Sequence, residues 1–183
     1  MEHIRVNQHI RLETVKVSMA PVIFEAIDKN RAFLRMWLPF VDYTLRVSDT
    51  QKFLESLSNQ NSIEREETYS IWYKEEFAGL IGFKDTDWVN SKTELGYWIV
   101  KKMQGKGIIT SSIKELIRYA FKKLKLNRIQ IKVATGNKKS AAIPGRLGFK
   151  FEGTEREGEY HKPVYFDLEV YSLLKSDWIM KEI

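Results

Sequence analysis

Two alternating segments, 94–100 and 128–134, enclose a strongly amphipathic run, and that order dictates much of what this chain can fold into. Over 110–123 the apolar residues Ile113, Leu116, Ile117, Ala120 and Phe121, with Leu124 just beyond, recur at helical spacing; Lys114, Arg118, Lys122 and Lys123 lie mostly opposite. Within 128–134, Ile129, Ile131 and Val133 alternate inward. A helical crossover between the two strands places them parallel in one sheet. The expected class is therefore α/β (α+β), and 183 residues suit a single domain, 1–183.

The rest of the chain fills in around that unit. A strand over 10–15 precedes a helix over 19–30, with Val22, Ile23, Ala26 and Ile27 on one face. A second helical run, 31–38, stops at Pro39. Capping-box spacing from Ser48 to Gln51, ahead of Phe53, Leu54 and Leu57, predicts a third helix over 49–60. The period then changes: 68–74 and 77–84 flank a Lys74-Glu75-Glu76 turn, and 85–92 is a polar turn. In 94–100, Leu95, Tyr97 and Ile99 alternate against Glu94, Gly96 and Trp98. A second capping-box match runs from Ser112 to Glu115, inside the amphipathic helix. A short helical segment follows Asn137, Leu147-Gly148-Phe149 stops it, and strands are expected near 149–156 and 164–173.

Composition removes several chemistries. With no cysteine, there are no disulfides, thiolate nucleophiles or all-cysteine zinc sites, and His3, His9 and His161 are too few for a multi-histidine centre. No metal is expected. Charged residues interrupt every apolar run before the roughly 20 residues a membrane span needs, and the start lacks a secretory pattern, so a cytoplasmic chain without a membrane is expected. Thirty Lys plus Arg against 24 Asp plus Glu gives +6. That balance favours a phosphorylated cofactor, RNA or an RNA-rich assembly, although ordinary surfaces also carry it.

The stretch Gln104-Gly105-Lys106-Gly107-Ile108-Ile109-Thr110 stands between strand and helix. Glycines let a ligand approach the backbone, and N–H groups at a helix start cradle an anion. A Walker A loop would need Gly at 100 and Ser or Thr at 107, where Val100 and Gly107 stand; a dinucleotide fingerprint would need Gly in place of Thr110. Instead, Gln104-Gly105-Lys106-Gly107 resembles the Gln/Arg-x-x-Gly-x-Gly/Ala signature of the GNAT superfamily of acyl-CoA N-acyltransferases. Ile109 stands where Gly or Ala is the general rule, a departure often accepted in the RimJ/RimL-like branch. Glu94 to Ile99, Asn137 to Ser140, Leu147-Gly148-Phe149, Phe33 to Pro39, and Val170 through Trp178 also resemble that branch, which widens the match to nearly the whole chain.

The resemblance implies a GNAT fold: a mixed, mostly antiparallel twisted sheet with a central splayed strand pair, flanked by helices. It implies acetyl-CoA as co-substrate and no metal. Coenzyme A pyrophosphate is expected on Gln104, Gly105, Lys106, Gly107, Ile108, Ile109 and Thr110, and the pantetheine arm along Tyr97, Trp98 and Ile99, with a polar contact from Asn137. Ser140 is the candidate proton donor to the thiolate, though Asn137 and Ser140 equally suit helix caps. Glu94 is the candidate base, directly or through water; a carboxylate there also suits an ion pair. His161 is an alternative base, although a lone histidine before Lys162-Pro163 ordinarily sits in a loop. Phe33 and Trp37 read as core or groove wall.

Three functions follow from this reading. The leading one is N-acetylation of a protein α-amino group, for instance on a ribosomal protein. A polyamine or other small-amine acetyltransferase is the enzymatic alternative, with Glu152, Glu155, Glu157 and Glu159 able to build a local acidic groove. A non-catalytic RNA- or ribosome-binding module is the third, and it requires Tyr69, Trp72 and Tyr73 near Lys74 on an exposed face. Ribosome association and a homodimer stay open.

Overall fold

A strand hairpin with an unusual turn organises the N-terminal part of the chain. The structure, a computed structural model, describes residues 3–58 and 67–182. The chain divides into two units: Met1–Gly82 with Tyr97–Ser112, and Phe83–Gly96 with Ile113–Ile183. In the first, β1 (His3–Arg5), β2 (Ile10–Thr14), β3 (Thr68–Tyr73) and the start of β4 (Glu76–Asp87) are antiparallel neighbours in that order. Lys74 and Glu75, at φ 48° and 65°, form the two-residue turn into β4. Both central residues left-handed is the turn that matches strand twist. Leu12, Ile71 and Tyr69 are buried in this unit. So are Ile23 and Ile27 of α1 (Ala20–Lys29), Leu34 of α2 (Arg31–Leu34), and Leu54 and Leu57 of α3 (Val47–Ser58).

The helix starts differ from the sequence reading. α3 begins after Arg46, and Asp49 Oδ2 accepts from the Arg46 and Leu45 N–H groups at 3.0 and 2.9 Å. Asp49 thus caps from inside the first turn, and Ser48 is already helical. The expected end at 59–60 lies outside the described residues. β1 went unpredicted because three residues are too few to show a period.

In the second unit, the end of β4 and the start of β5 (Lys92–Ile99) form a hairpin pinned by Thr86 Oγ1 and Thr93 Oγ1 at 2.8 Å. The polar turn shrinks to Trp88–Ser91, since both strands run further than expected. β5 pairs in parallel with β6 (Arg128–Ala134), joining Lys92 to Arg128 and Glu94 to Gln130. The order continues β6-β8-β7, antiparallel, with β7 at Lys150–His161 and β8 at Val164–Leu174. α4 (Ile108–Lys122) carries the buried stripe Ile113, Leu116, Ile117, Ala120 and Phe121 into this unit. Tyr119 stacks on Phe83 at 6.4 Å, and Phe121 meets Trp178 of α6 (Lys175–Glu182) at 5.5 Å. α5 (Lys138–Leu147) stops at Gly148, left-handed at φ 82°. The fold is mixed α+β: a mostly antiparallel sheet flanked by helices.

Candidate active site

The first unit holds the glycine loop. β5 ends against β4, with Val100 N–H donating to Ala78 O at 2.8 Å and the Trp98 ring 5.9 Å from Phe77. A Cβ at Gly79 would be driven into the Trp98 carbonyl oxygen and to 2.9 Å from Ile99 Cα, so glycine is what permits this approach. Trp98 and Val100 are buried while Tyr97 and Ile99 are half-buried. The expected face is not the buried one here: Trp98, with Glu94, is buried, Tyr97 and Ile99 are half-buried, and Leu95 is buried beside Glu94. Lys101 N–H then donates to Asn30 Oδ1 at 3.0 Å, anchoring the turn Lys101–Met103.

Gly105 and Gly107 follow at φ 74° and 71°, and a Cβ on either would meet nothing within 4 Å. α4 starts at Ile108, two residues before the expected 110, and its first helical bond runs from Ser111 N–H to Gly107 O at 2.9 Å. The N–H groups of Ile108, Ile109 and Thr110 thus precede that bond and have no acceptor within the helix. Lys106 Nζ lies 5.4 Å over the Tyr73 ring and 3.7 Å from Met103 Sδ, while Lys102 pairs with Glu76. Open space over left-handed glycines, free helix-start amides and nearby lysines fit a phosphorylated group. Ser112 is no cap: it lies within the helix, fully buried, and its Oγ has no partner.

The second unit gathers the titratable candidates. Asn137 caps α5, its Oδ1 accepting from Ser140 N–H at 3.3 Å. Ser140 is thus half-buried in the first turn, and its backbone N–H is the donor in this bond. Pro144 sits inside this ten-residue helix and removes the N–H that would otherwise donate to the Ser140 carbonyl. Glu94 is 6% exposed, and both its oxygens are engaged: Oε1 with Lys84 Nζ at 2.7 Å, Oε2 with Gln130 Nε2 at 3.1 Å. Desolvation pushes the Lys84 ammonium down, but the charge and hydrogen bond of Glu94, aided by Asp85 and Glu159, outweigh it and hold its pKa above the ordinary lysine value. Lys84 therefore stays charged at neutral pH, which fixes Glu94 in an ion pair.

Two features escaped the sequence reading. His161 is the last residue of β7 and is buried, its Nε2 2.6 Å from Glu159 Oε2; it is not a loop residue. The acidic residues expected to make a groove are largely engaged locally: Glu152 with Arg128, Glu155 with Lys132 at 2.6 Å, Glu159 with His161. Hydrogen bonds from Arg128 and Ser172 pull the Glu152 carboxyl down to about 2. The aromatic face expected for RNA is also spoken for. Tyr69 is buried with its hydroxyl on Glu67, and Trp72 donates to Ser70 Oγ at 3.0 Å beneath the Arg11 guanidinium at 5.1 Å. Among the described residues no cluster of His, Cys, Asp or Glu is arranged to hold a metal ion, and no helix is long and apolar enough to cross a membrane.

These features have close counterparts in known proteins. Residues 9–150 match the family model described as Acetyltransferase (GNAT) domain. The chain is 38% identical over 179 residues to "Putative ribosomal N-acetyltransferase YdaF" of Bacillus subtilis (strain 168), covering 95% of this chain and 96% of that protein. A solved structure of RimL, a ribosomal L7/L12 α-N-protein acetyltransferase in complex with coenzyme A, superposes with a TM-score of 0.91 at 26% identity, over 96% of this chain and 99% of that one. The microcin C7 self-immunity acetyltransferase MccE, solved with acetyl-CoA and AMP, gives 0.89 at 30% identity, over 94% and 96%. The chain belongs to the GNAT family. It is an acetyl-CoA-dependent N-acetyltransferase closely related to the RimJ/RimL ribosomal-protein acetyltransferases.

Proposed function

We propose that the acceptor is the α-amino group of a protein N-terminus, with a ribosomal protein as the leading class. The observation that carries this is likeness along the whole chain to enzymes named for that acceptor. Two physical arguments support it. Arg128 and Lys132 pair with Glu152 and Glu155 and reduce the negative charge that stretch offers a polycation. An α-amine, which ordinarily titrates at about 7.7–8.0 against about 10.4 for a lysine side chain, is also several hundred-fold richer in its neutral, nucleophilic form near pH 7.

Acetyl-CoA supplies an activated acetyl thioester. Gln104 through Thr110 hold its pyrophosphate through backbone N–H groups, Lys106 adds positive charge, and backbone at Tyr97, Trp98 and Ile99, with Asn137, lies along its pantetheine arm. The Ser140 hydroxyl, outside the cap bond, gives its proton to the departing sulfur. The amine's proton passes through water to the Glu94 carboxylate, each of whose oxygens keeps a second lone pair beside its bond to Lys84 or Gln130. The test is acetylation of paired peptides, one with a free α-amine and blocked lysines, the other reversed, alongside spermidine, read by mass spectrometry. The α-amine peptide is expected to show at least tenfold higher kcat/KM; preference for lysine or spermidine overturns the assignment.

A further inference from the structure

Three chain segments of the second unit meet where β5 and β6 begin and β8 ends. The Ser91 carbonyl accepts from the Asn127 and Arg128 N–H groups at 2.7 and 3.2 Å, and the Asn127 carbonyl accepts from Lys175 N–H at 2.9 Å. Lys92 is the parallel partner of Arg128. Neighbouring strands lie about 5 Å apart, so these backbones sit within roughly 10 Å of one another. They bring Lys92, Lys123, Lys125 and Lys175, with Lys122 at the end of α4, to one end of the sheet. Lys175 is half-buried and the other four are exposed. Carboxylates at this end are engaged: Glu152 with Arg128, Asp177 with Lys150 at 2.8 Å, and Asp87 with Asn90. The Asn90 hydrogen bonds, helped by Lys92, hold the Asp87 carboxyl below the ordinary carboxylate range.

Two observations set this end apart from an ordinary basic surface. Lysines at a helix C-terminus serve its dipole, which accounts for Lys122 and Lys123. Lys125, however, stands at φ 60°, where glycine or asparagine fits with less strain, so the fold itself does not call for lysine there. The turn from β4 to β5 also presents Trp88, 39% exposed, and Val89, 94% exposed. Asp87 fixes that turn by accepting from Asn90 N–H at 2.9 Å and Asn90 Nδ2 at 2.6 Å, and Ser91 N–H donates to Trp88 O at 3.3 Å.

We propose that this end of the second unit is a docking surface for a single-stranded stretch of RNA. The lysines neutralise backbone phosphates, and the indole of Trp88, held out on a fixed turn, stacks on an unpaired base. Folded RNA displays such bases in its loops and ends, whereas cellular DNA is mostly paired. An anionic membrane is the poorer match, because Trp88 and Val89 are two side chains on a turn and not the apolar helix face that a bilayer surface takes up. The inference does not rest on the choice of acceptor amine.

The experiment titrates the full-length chain into a labelled single-stranded RNA of about 12 nucleotides between 50 and 200 mM KCl, read by fluorescence anisotropy. The same sequence as RNA duplex and as single-stranded DNA, and vesicles of phosphatidylserine and phosphatidylcholine, are titrated alongside. The variants are Trp88→Ala; Lys92→Gln with Lys123→Gln and Lys125→Asn; and, as a control for charge, Lys16→Gln with Lys52→Gln and Lys114→Gln, which are exposed elsewhere. The first lysine set is expected to weaken RNA binding at least tenfold and to flatten the slope of log affinity against log salt by about 2; the control set should cost less than threefold. Trp88→Ala should cost about tenfold on single-stranded RNA and less than twofold on the duplex. Both variants of the surface should keep the wild-type Tm and the wild-type acetylation of a free peptide. No saturable RNA binding at 50 mM KCl, equal losses in the two lysine sets, a folded Trp88→Ala variant with unchanged affinity, tighter binding of DNA than RNA, or binding of vesicles in place of RNA each overturns the proposal. Should Trp88→Ala not fold, the two lysine sets decide it alone. Absence of peptide turnover would remove the α-amine reading and leave the titrations, which contain no acceptor, unaffected.

Discussion

Gly79 and Gly107 serve one loop for opposite physical reasons. At Gly79 there is no room, because a Cβ would strike the Trp98 carbonyl oxygen; at Gly107 there is room, but φ is 71° and a ligand is expected where the side chain would go. An L-residue in that left-handed conformation costs about 1–2 kcal/mol, which a cooperatively folded domain of this size survives. Gly107→Trp should therefore unfold cooperatively with a modestly lowered Tm, yet lose most of its acetyl-CoA affinity by calorimetry. A folded variant with unchanged affinity would remove the pyrophosphate from this loop. The glycines of the loop are readable in the sequence because spacing alone distinguishes it from the two common nucleotide motifs. Gly79 is not, since its constraint comes from a carbonyl nineteen positions away that only strand pairing brings close.

At the scale of elements, α5 separates two roles that the sequence leaves entangled. The bond to Asn137 Oδ1 is made by the backbone N–H of Ser140 and does not itself use the serine hydroxyl. Ser140→Ala is expected to lower kcat about tenfold to a thousandfold with Tm and acetyl-CoA affinity little changed, whereas Asn137→Ala should cost about 1 kcal/mol of stability. Thermal melts and steady-state kinetics on both variants check this; a Ser140→Ala enzyme with full turnover returns the residue to a purely structural part. Elements with a clean period are legible: β6 has the bounds its alternation predicts, and the α4 stripe is buried as expected. β7 runs five residues past its expected end because it is mostly exposed, so no apolar alternation marks it, and its register shifts between Glu155 and Glu159. That shift is what hides His161 in an apparent loop. Capping boxes at Ser48 and Ser112 mislead for another reason: the pattern records spacing, while the true start depends on where the first backbone N–H groups find acceptors, as Arg46 N–H does on Asp49 and Ser111 N–H does on Gly107 O.

For the whole molecule, the glycine loop belongs to one unit, and Glu94, Ser140 and His161 belong to the other. Net charge is the remaining property at this scale. An excess of +6 does nothing for the fold, but it raises encounter rates with a polyanion and is screened over about 10 Å at 0.1 M salt. If the acceptor N-terminus is presented on an RNA-rich particle, each neutralised phosphate steepens the salt dependence of binding, while a short free peptide gains little from the surrounding field. The expected outcome is that kcat/KM for a particle-borne N-terminus falls at least tenfold between 50 and 200 mM KCl, and that for the same sequence as a free peptide changes less than about threefold. Both are measurable by mass spectrometry of the acetylated product at fixed time. Equal salt dependence for particle and peptide would show that the basic surface plays no part in acceptor capture, and recognition would then rest on contacts to the N-terminal residues alone.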